Sequence, residues 1–184
     1  MNALPLLLTD PMAFRTVIAG LTLVALAGPV DRRIVDTVQV GDMRSESMHG
    51  YAGHDVVVGT SDGKPYRQAR GWMRYALTTF DDTEVKIALT FVGAVGSTDN
   101  ATHQYDVLVE DSVVASRAYS SPTAAPTVVE IPVPFGITKG RTNIAVTIRA
   151  RGGITPALRE LRTVQDHNED VTSSRSQNPS GDVR

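Results

Sequence analysis

The chain has 184 residues, of which 41% are hydrophobic and 21% charged, as in a soluble globular protein of one domain with room for tails. A formal net charge of −2, with scattered Lys and Arg residues, argues against a nucleic-acid partner. The lack of cysteine excludes disulfides, thiolate metal sites and a cysteine nucleophile, and it fits both a cytoplasmic protein and a bacterial export product.

The first 30 residues match the pattern of a signal peptide. A basic start around Arg15 precedes an apolar run over residues 17–27, which ends in a small-x-small cleavage site at residues 25–27. The run is too short to span a bilayer. We therefore expect a signal peptide, which would make the protein secreted or periplasmic and free of the membrane after processing. The alternative is a remnant of a preceding segment, in which case the protein would be cytoplasmic.

Period-two alternation of apolar and polar residues dominates the middle of the chain. Val85, Ile87 and Leu89 point one way, for example, while the residues between them point the other. Clusters of turn-forming residues separate the alternating segments. Strands are predicted at residues 34–40, 55–58, 72–79, 85–91, 105–110, 113–119, 127–133, 144–149 and 158–164.

Eight or nine short antiparallel strands without a sustained helical period predict an all-β protein, a β-sandwich of jelly-roll type, over residues 31–164. Because proline cannot donate a ladder hydrogen bond, Pro132 and Pro134 should place their strand at a sheet edge or end the strand there. Residues 165–184 are too polar to bury much apolar area, so we expect a disordered tail.

Several short motifs occur in a characteristic order along these strands. They lie at residues 38–42, 45–50, 66–69, 71–75, 89–93, 105–109, 131–134 and 158–162. In this order they resemble the C-terminal β-sandwich domain of bacterial β-L-arabinofuranosidase-like enzymes, glycoside hydrolase family 127 and its relatives. The resemblance covers residues 34–163 and leaves out the catalytic barrel. It implies a non-catalytic accessory domain of a carbohydrate-active system, which binds polysaccharide or packs on a glycosidase catalytic domain.

Glu46 and His49 stand three residues apart in a turn-rich segment after the first strand. One interpretation is a general acid/base pair or a metal site, since both side chains can meet across a tight turn. The other is a structural knot, in which Glu46 accepts backbone N–H groups and His49 is hydrogen-bonded where the loop folds over the sandwich edge. Hydrolysis by Glu46 with a second carboxylate such as Asp55 would require both to flank a cleft.

Arg67, Trp72 and Tyr75 complete the predicted ligand-binding set with Glu46 and His49. Trp72 can stack on a sugar ring while Arg67 forms bidentate hydrogen bonds with hydroxyl groups. The alternative is that Trp72 anchors the core and that Arg67 packs its aliphatic stem beside it.

Two further groups of charged residues stand out. Asp81, Asp82 and Glu84 resemble a calcium loop, but acidic turn residues are common at strand ends, so we expect no cofactor and keep a structural calcium as the alternative. Of Arg159 and Arg162, one should face solvent and the other should pair with an acid such as Asp106. The alternative to an accessory glycan-binding domain is a structural or protein-docking domain, or the relic of a truncated glycosidase gene.

Overall fold

The computed structural model describes residues 31–80, 84–93, 102–120 and 125–167. The predictions for residues 1–30, for Asp81 and Asp82, and for the tail beyond residue 167 lie outside these ranges. The described residues form nine strands and two short helices, so the predicted all-β fold is confirmed. Within the same ranges, no helix has the length and apolar character needed to cross a membrane.

Each predicted strand corresponds to one strand of the structure. The elements are β1 (Asp31–Gln39), α1 (Met43–Met48), β2 (Ala52–Ser61), β3 (Lys64–Thr78), β4 (Val85–Phe91), β5 (His103–Val109), β6 (Ser112–Tyr119), β7 (Thr127–Val133), α2 (Phe135–Thr138), β8 (Asn143–Ala150) and β9 (Leu158–His167).

The strands pair antiparallel in two layers. The front layer has the order β2-β3-β8-β5-β6, and the back layer has the order β1-β9-β4-β7. The layers are joined where β3 meets β9, at the pair formed by Arg67 and Leu158. In the described residues β7 lies at the end of the strand order, the edge position that Pro132 requires.

The core lies between the layers and explains the alternation. Val85, Ile87 and Leu89 of the back layer are fully buried, as are Met73 and Tyr75 of the front layer. Successive side chains of a strand point to opposite faces. The odd-numbered residues in this part of β3 therefore point into the core, and the even-numbered ones point away from it.

Helix α1 was not predicted, because six residues are too few to show a helical period. Gly41 turns the chain out of β1 with a φ of 86°, in the left-handed region that favours glycine. Asp42 then caps the helix, since its Oδ1 accepts a hydrogen bond of 2.7 Å from the N–H of Ser45. This cap fixes α1 beside the end of β1, and it presents Glu46 to β3.

Strand β9 continues beyond residue 164, where the alternation predicted its end. Gln165 is buried, and its side chain accepts from the N–H of Phe80 at 3.1 Å and donates to the carbonyl of Phe80 at 3.0 Å. The polar composition of this segment did not reveal that Gln165 is buried in a strand. Its side-chain amide is hydrogen-bonded to the backbone of Phe80, which is distant in sequence.

Candidate functional site

Glu46 lies in a closed hydrogen-bond network with Gly41, Arg67 and Tyr75. Arg67 binds the carboxylate in a bidentate pair, with Nε donating to Oε1 and Nη2 donating to Oε2, both at 2.6 Å. The N–H of Gly41 at 2.8 Å and the hydroxyl of Tyr75 at 3.3 Å also donate to Oε1. The side chain of Glu46 is only 5% exposed, so its charge is balanced inside the protein. Bidentate charge-assisted pairs of this kind are strong and geometrically specific.

His49 joins α1 to β1. Its Nδ1 lies 2.6 Å from the carbonyl of Ser45, which can only accept, and its Nε2 lies 3.1 Å from Oδ1 of Asp36. Asp36 also accepts from the N–H groups of Thr37 and Thr78. Burial alone would raise the pKa of Asp36, but these hydrogen bonds and the nearby imidazole lower it below its ordinary value.

Tyr51 and Tyr75 cover the pair of Glu46 and Arg67. The guanidinium carbon of Arg67 lies 4.5 Å from the centre of the Tyr51 ring, and the two tyrosine rings are 5.3 Å apart. The hydrogen bond with Glu46 raises the pKa of Arg67, and burial raises the pKa of both tyrosines. We call Asp36, Glu46, His49, Tyr51, Arg67 and Tyr75 the Glu46 network.

The structure gives Glu46 and His49 the contacts that the structural interpretation requires. No hydrogen bond joins these two side chains among the described contacts, and each has its own partners on β1, α1 and β3. Asp55 lies in a bulge of β2 beside Arg70 and is half exposed. An open depression of about 430 Å³ lies above the network. Its lining consists of Met43, Glu46, Ser47, Gly50, Tyr51 and Arg67.

Trp72 lies on the other side of β3, so it does not meet the Glu46 network. It alternates with the buried Met73 and is itself only partly buried, so it faces out from the front layer and does not anchor the core. A groove of about 200 Å³ lies beside it. We call its lining the Trp72 surface, which consists of Trp72, Arg74, Leu108, Asp111, Thr147 and Arg149.

Strand register explains how these residues meet. Trp72 pairs with Arg149 of β8, which in turn pairs with Asp106 of β5, and the neighbouring row joins Arg74, Thr147 and Leu108. Cross-strand neighbours lie on the same face of a sheet, so both rows lie on the outer face of the front layer, where Asp106 and Leu108 are covered by their neighbours. Asp111 reaches the groove from the turn between β5 and β6, where its Oδ1 accepts from Nη1 of Arg74 at 3.3 Å.

Asp106 is the best-buried carboxylate near this groove, with a side chain only 9% exposed. It accepts from Arg149 at 2.8 Å and from the hydroxyl of Ser116 at 2.6 Å, and Nε of Arg151 lies 3.6 Å away. Burial opposes ionisation, but these partners lower the pKa of Asp106.

One of Arg159 and Arg162 does pair with an acid, as predicted, but naming Asp106 as that acid is wrong. Arg159 donates to the carbonyl of Ser61 at 2.8 Å, and Arg162 pairs with Glu160 at 2.7 Å. Both belong to the back layer, whereas the two arginines beside Asp106 are Arg149 of β8, its neighbour in the front layer, and Arg151, which follows β8.

Of the predicted ligand-binding set, the structure brings together Glu46, Arg67 and Tyr75, gives His49 separate partners in Ser45 and Asp36, and places Trp72 on the opposite side of β3. Sequence reasoning missed Arg74, Asp111 and Arg149. Arg74 stands two residues after Trp72 and so shares its face, a signal that was available. The other two depend on the pairing of β3 with β8 and on the β5–β6 turn, which one sequence does not reveal.

The described residues contain no group of three or more His, Cys, Asp or Glu side chains arranged to hold a metal ion. Glu84 is exposed, and its two predicted partners, Asp81 and Asp82, are outside the described ranges. The structural-calcium alternative therefore stays untested.

Comparison with solved structures finds a similar fold in other proteins. This chain is similar to a family 35 carbohydrate-binding module from an environmental isolate, with a TM-score of 0.51, 14% identity, and coverage of 66% of this chain and 94% of that one. It is also similar to the ANXUR1 extracellular domain of Arabidopsis thaliana, with a TM-score of 0.53, 7% identity, and coverage of 74% of this chain and 49% of that one. At these identities the likeness shows the fold.

The family itself is shown by sequence. Residues 29–164 match DUF6805, a family of unknown function, and the chain belongs to this family. The search against curated proteins finds no match.

Proposed function

We propose that this protein is a non-catalytic glycan-binding accessory domain of a carbohydrate-active system and that it binds glycans at the Trp72 surface. The observation that carries the proposal is the position of Trp72, the chain's one tryptophan, partly exposed beside a groove lined by Arg74, Asp111 and Arg149. Trp72 is not a member of the hydrophobic core cluster of this sandwich, so packing of that core does not explain it.

The chemistry of the groove suits a sugar. An indole ring offers a flat apolar face to the C–H groups of a pyranose, and planar guanidinium and carboxylate groups form paired hydrogen bonds with neighbouring hydroxyls. Leu108 and Thr147 form the remaining wall. A mostly preformed groove with a few convergent polar groups is the usual character of a small-ligand site.

Two likenesses support this assignment. The fold is similar to that of a family 35 carbohydrate-binding module. The sequence motifs resemble the domain that accompanies the catalytic barrel in enzymes of glycoside hydrolase family 127. A glycan-binding domain beside such a barrel would hold the enzyme near its polysaccharide, and a signal peptide in residues 1–30 would place both outside the cytoplasm.

A second candidate function is docking on a glycosidase catalytic domain. The observation in its favour is an exposed pair of methionines on α1, Met43 at 84% and Met48 at 69%, with Met43 lining the depression above the Glu46 network. Flexible methionine side chains adapt well to a partner surface. Co-elution with a family 127 catalytic barrel that lacks its own sandwich, abolished by M43S with M48S, would support docking, and unchanged separate elution would contradict it.

Affinity electrophoresis of the full chain against a panel of plant and bacterial polysaccharides tests glycan binding, including arabinose-containing polymers. We expect retardation by at least one polymer and its loss, by about tenfold or more in affinity, in Trp72→Ala. Phe135→Ala is the matched control, since Phe135 is an exposed aromatic residue on α2. Retardation that survives in Trp72→Ala, or no retardation by any polymer, would contradict the proposal.

A further inference from the structure

We infer that the Trp72 surface selects glycans that carry negative charge, as carboxylate or sulfate groups. This inference rests on the proposed function and names the ligand class of the same site. It follows from the way in which arginines and carboxylates are distributed around the groove.

The first step is the charge around Trp72. Arg74 and Arg149 line the groove, and Arg151 approaches the carboxylate that Arg149 uses. Against these three guanidinium groups stand two carboxylates, Asp106 and Asp111. The groove therefore carries a surplus positive charge in a chain whose formal net charge is −2. Such a local reversal of sign favours an anionic ligand.

The second step is that Asp106 is fully engaged. One oxygen accepts from Arg149, and the other accepts from Ser116 and lies near Arg151. Arg149 and Arg151 thus share one buried carboxylate, while their own side chains are 47% and 51% exposed. An anion at the groove can approach the solvent side of Arg149 without separating it from Asp106.

The third step concerns Asp111, which also pairs with an arginine of the groove but is far more exposed than Asp106. Its side chain is 76% exposed, and its one described contact is the ion pair with Arg74. It stands in a tight turn with a φ of 64°, and its Oδ1 lies 3.3 Å from Nη1 of Arg74. Exposed pairs of this kind contribute little energy. Asp111 therefore occupies Arg74 only weakly, and a ligand carboxylate or sulfate can replace it.

The charged pairs at the margin of the groove do not change this balance. Glu110 pairs with Arg141 at 3.2 Å and accepts from the N–H of Ala145, and Asp55 lies 3.9 Å from Arg70. Each of these pairs is neutral as a unit. The surplus is one guanidinium group, because Arg149 and Arg151 share Asp106, so it lies at the end of the groove formed by Trp72 and Arg149 and away from the β5–β6 turn.

Matched polymers test this inference. We would compare polygalacturonate with the same polymer after carboxyl reduction, and dextran sulfate with dextran, by affinity electrophoresis and calorimetry of the full chain. We expect the charged member of at least one pair to bind about tenfold more tightly, and this preference to shrink as ionic strength approaches about 0.5 M. Preference for both charged polymers indicates recognition of charge alone, and preference for one identifies the anion.

Two variants, each with a matched control, test whether the preference for charged polymers arises at the Trp72 surface. Arg74→Gln should weaken binding of the charged polymer about three- to tenfold, and Arg33→Gln, which removes an exposed arginine of the back layer, should not. Asp111→Asn should strengthen it about two- to fivefold, because asparagine keeps the left-handed turn while freeing Arg74. Asp62→Asn removes the same charge from an equivalent turn, at φ of 52°, and should change nothing.

The outcomes separate this inference from the proposed function. Equal affinity for charged and carboxyl-reduced polymers, or an Asp111→Asn variant that behaves like Asp62→Asn, would overturn the anionic preference and leave glycan binding standing. Absence of binding to every charged and neutral polymer would overturn both.

Discussion

The Glu46 network and the Trp72 surface both contain arginines paired with carboxylates, and they differ in how much of each pair water reaches. Arg67 and Glu46 are 16% and 5% exposed, whereas Arg74 and Asp111 are 40% and 76% exposed. In the network each carboxylate oxygen has a partner from the protein. At the Trp72 surface the guanidinium groups face a groove.

The difference teaches which polar cluster is available for a ligand. A buried, bidentate pair that also joins α1 to β3 is difficult to break, and its hydrogen bonds are made within the protein rather than to a ligand. Its contribution is therefore structural. An exposed pair is worth little to folding, and its members can exchange partners. Two clusters of the same residue types therefore have different roles. Substitutions in the Glu46 network should lower the free energy of unfolding, whereas substitutions at the Trp72 surface should change glycan affinity.

The largest effect on stability should come from Glu46→Gln. This change leaves Arg67 without a counter-charge in a site that is largely closed to water, and we expect the free energy of unfolding to fall by about 3 kcal/mol. Urea unfolding of the full chain measures it. Asp111→Asn, which removes a carboxylate from the exposed pair, is the matched control and should change stability by less than about 0.5 kcal/mol. A similar loss in both variants would contradict the distinction between the two clusters.

A smaller loss of stability should follow from Asp36→Asn, together with a change in how stability depends on pH. The pKa of Asp36 is lower in the folded protein than in the unfolded chain, so its ionised form contributes stability above the unfolded pKa of about 4. That stability is lost as the pH falls through the lower folded value. Asp36→Asn should cost about 1–2 kcal/mol at neutral pH and should reduce the dependence of unfolding on pH below about 4. Parallel unfolding curves for wild type and variant across that range would contradict this.

The smallest effect should come from Tyr75→Phe, which removes a buried hydroxyl that donates to Glu46 at 3.3 Å. We expect a loss of about 0.5–1.5 kcal/mol in urea unfolding and unchanged glycan affinity, because Tyr75 points into the core. A fall in affinity with intact folding would instead return Tyr75 to the binding site, as the sequence predicted.

The fold was largely predictable because alternation is a local signal. Val85, Ile87 and Leu89 reveal a buried strand face without any knowledge of partners. The arrangement of the two polar clusters could not be predicted in this way. Glu46 and Arg67 meet only because a six-residue helix, too short for a periodic pattern, turns back over β3. Asp106 meets Arg149 rather than Arg159 because β5 pairs with β8, and a strand's neighbour is fixed by long-range packing.

The direction in which Trp72 points illustrates the same limit. Alternation shows that Trp72 and Met73 lie on opposite faces, but deciding which of them is buried requires the opposing layer. A tryptophan followed by methionine and tyrosine reads equally well as core or as surface. In the structure the core takes Met73 and Tyr75 and leaves the indole outside.

The most direct test is the intrinsic fluorescence of the full chain during titration with a polysaccharide that retards it. Because the chain has one tryptophan, emission excited at a wavelength that tyrosine does not absorb reports on Trp72 alone. We predict a saturable shift and intensity change whose midpoint matches the affinity measured by calorimetry, unaltered in Tyr75→Phe. Binding in the calorimeter that leaves the emission of Trp72 unchanged would show that the glycan site lies elsewhere.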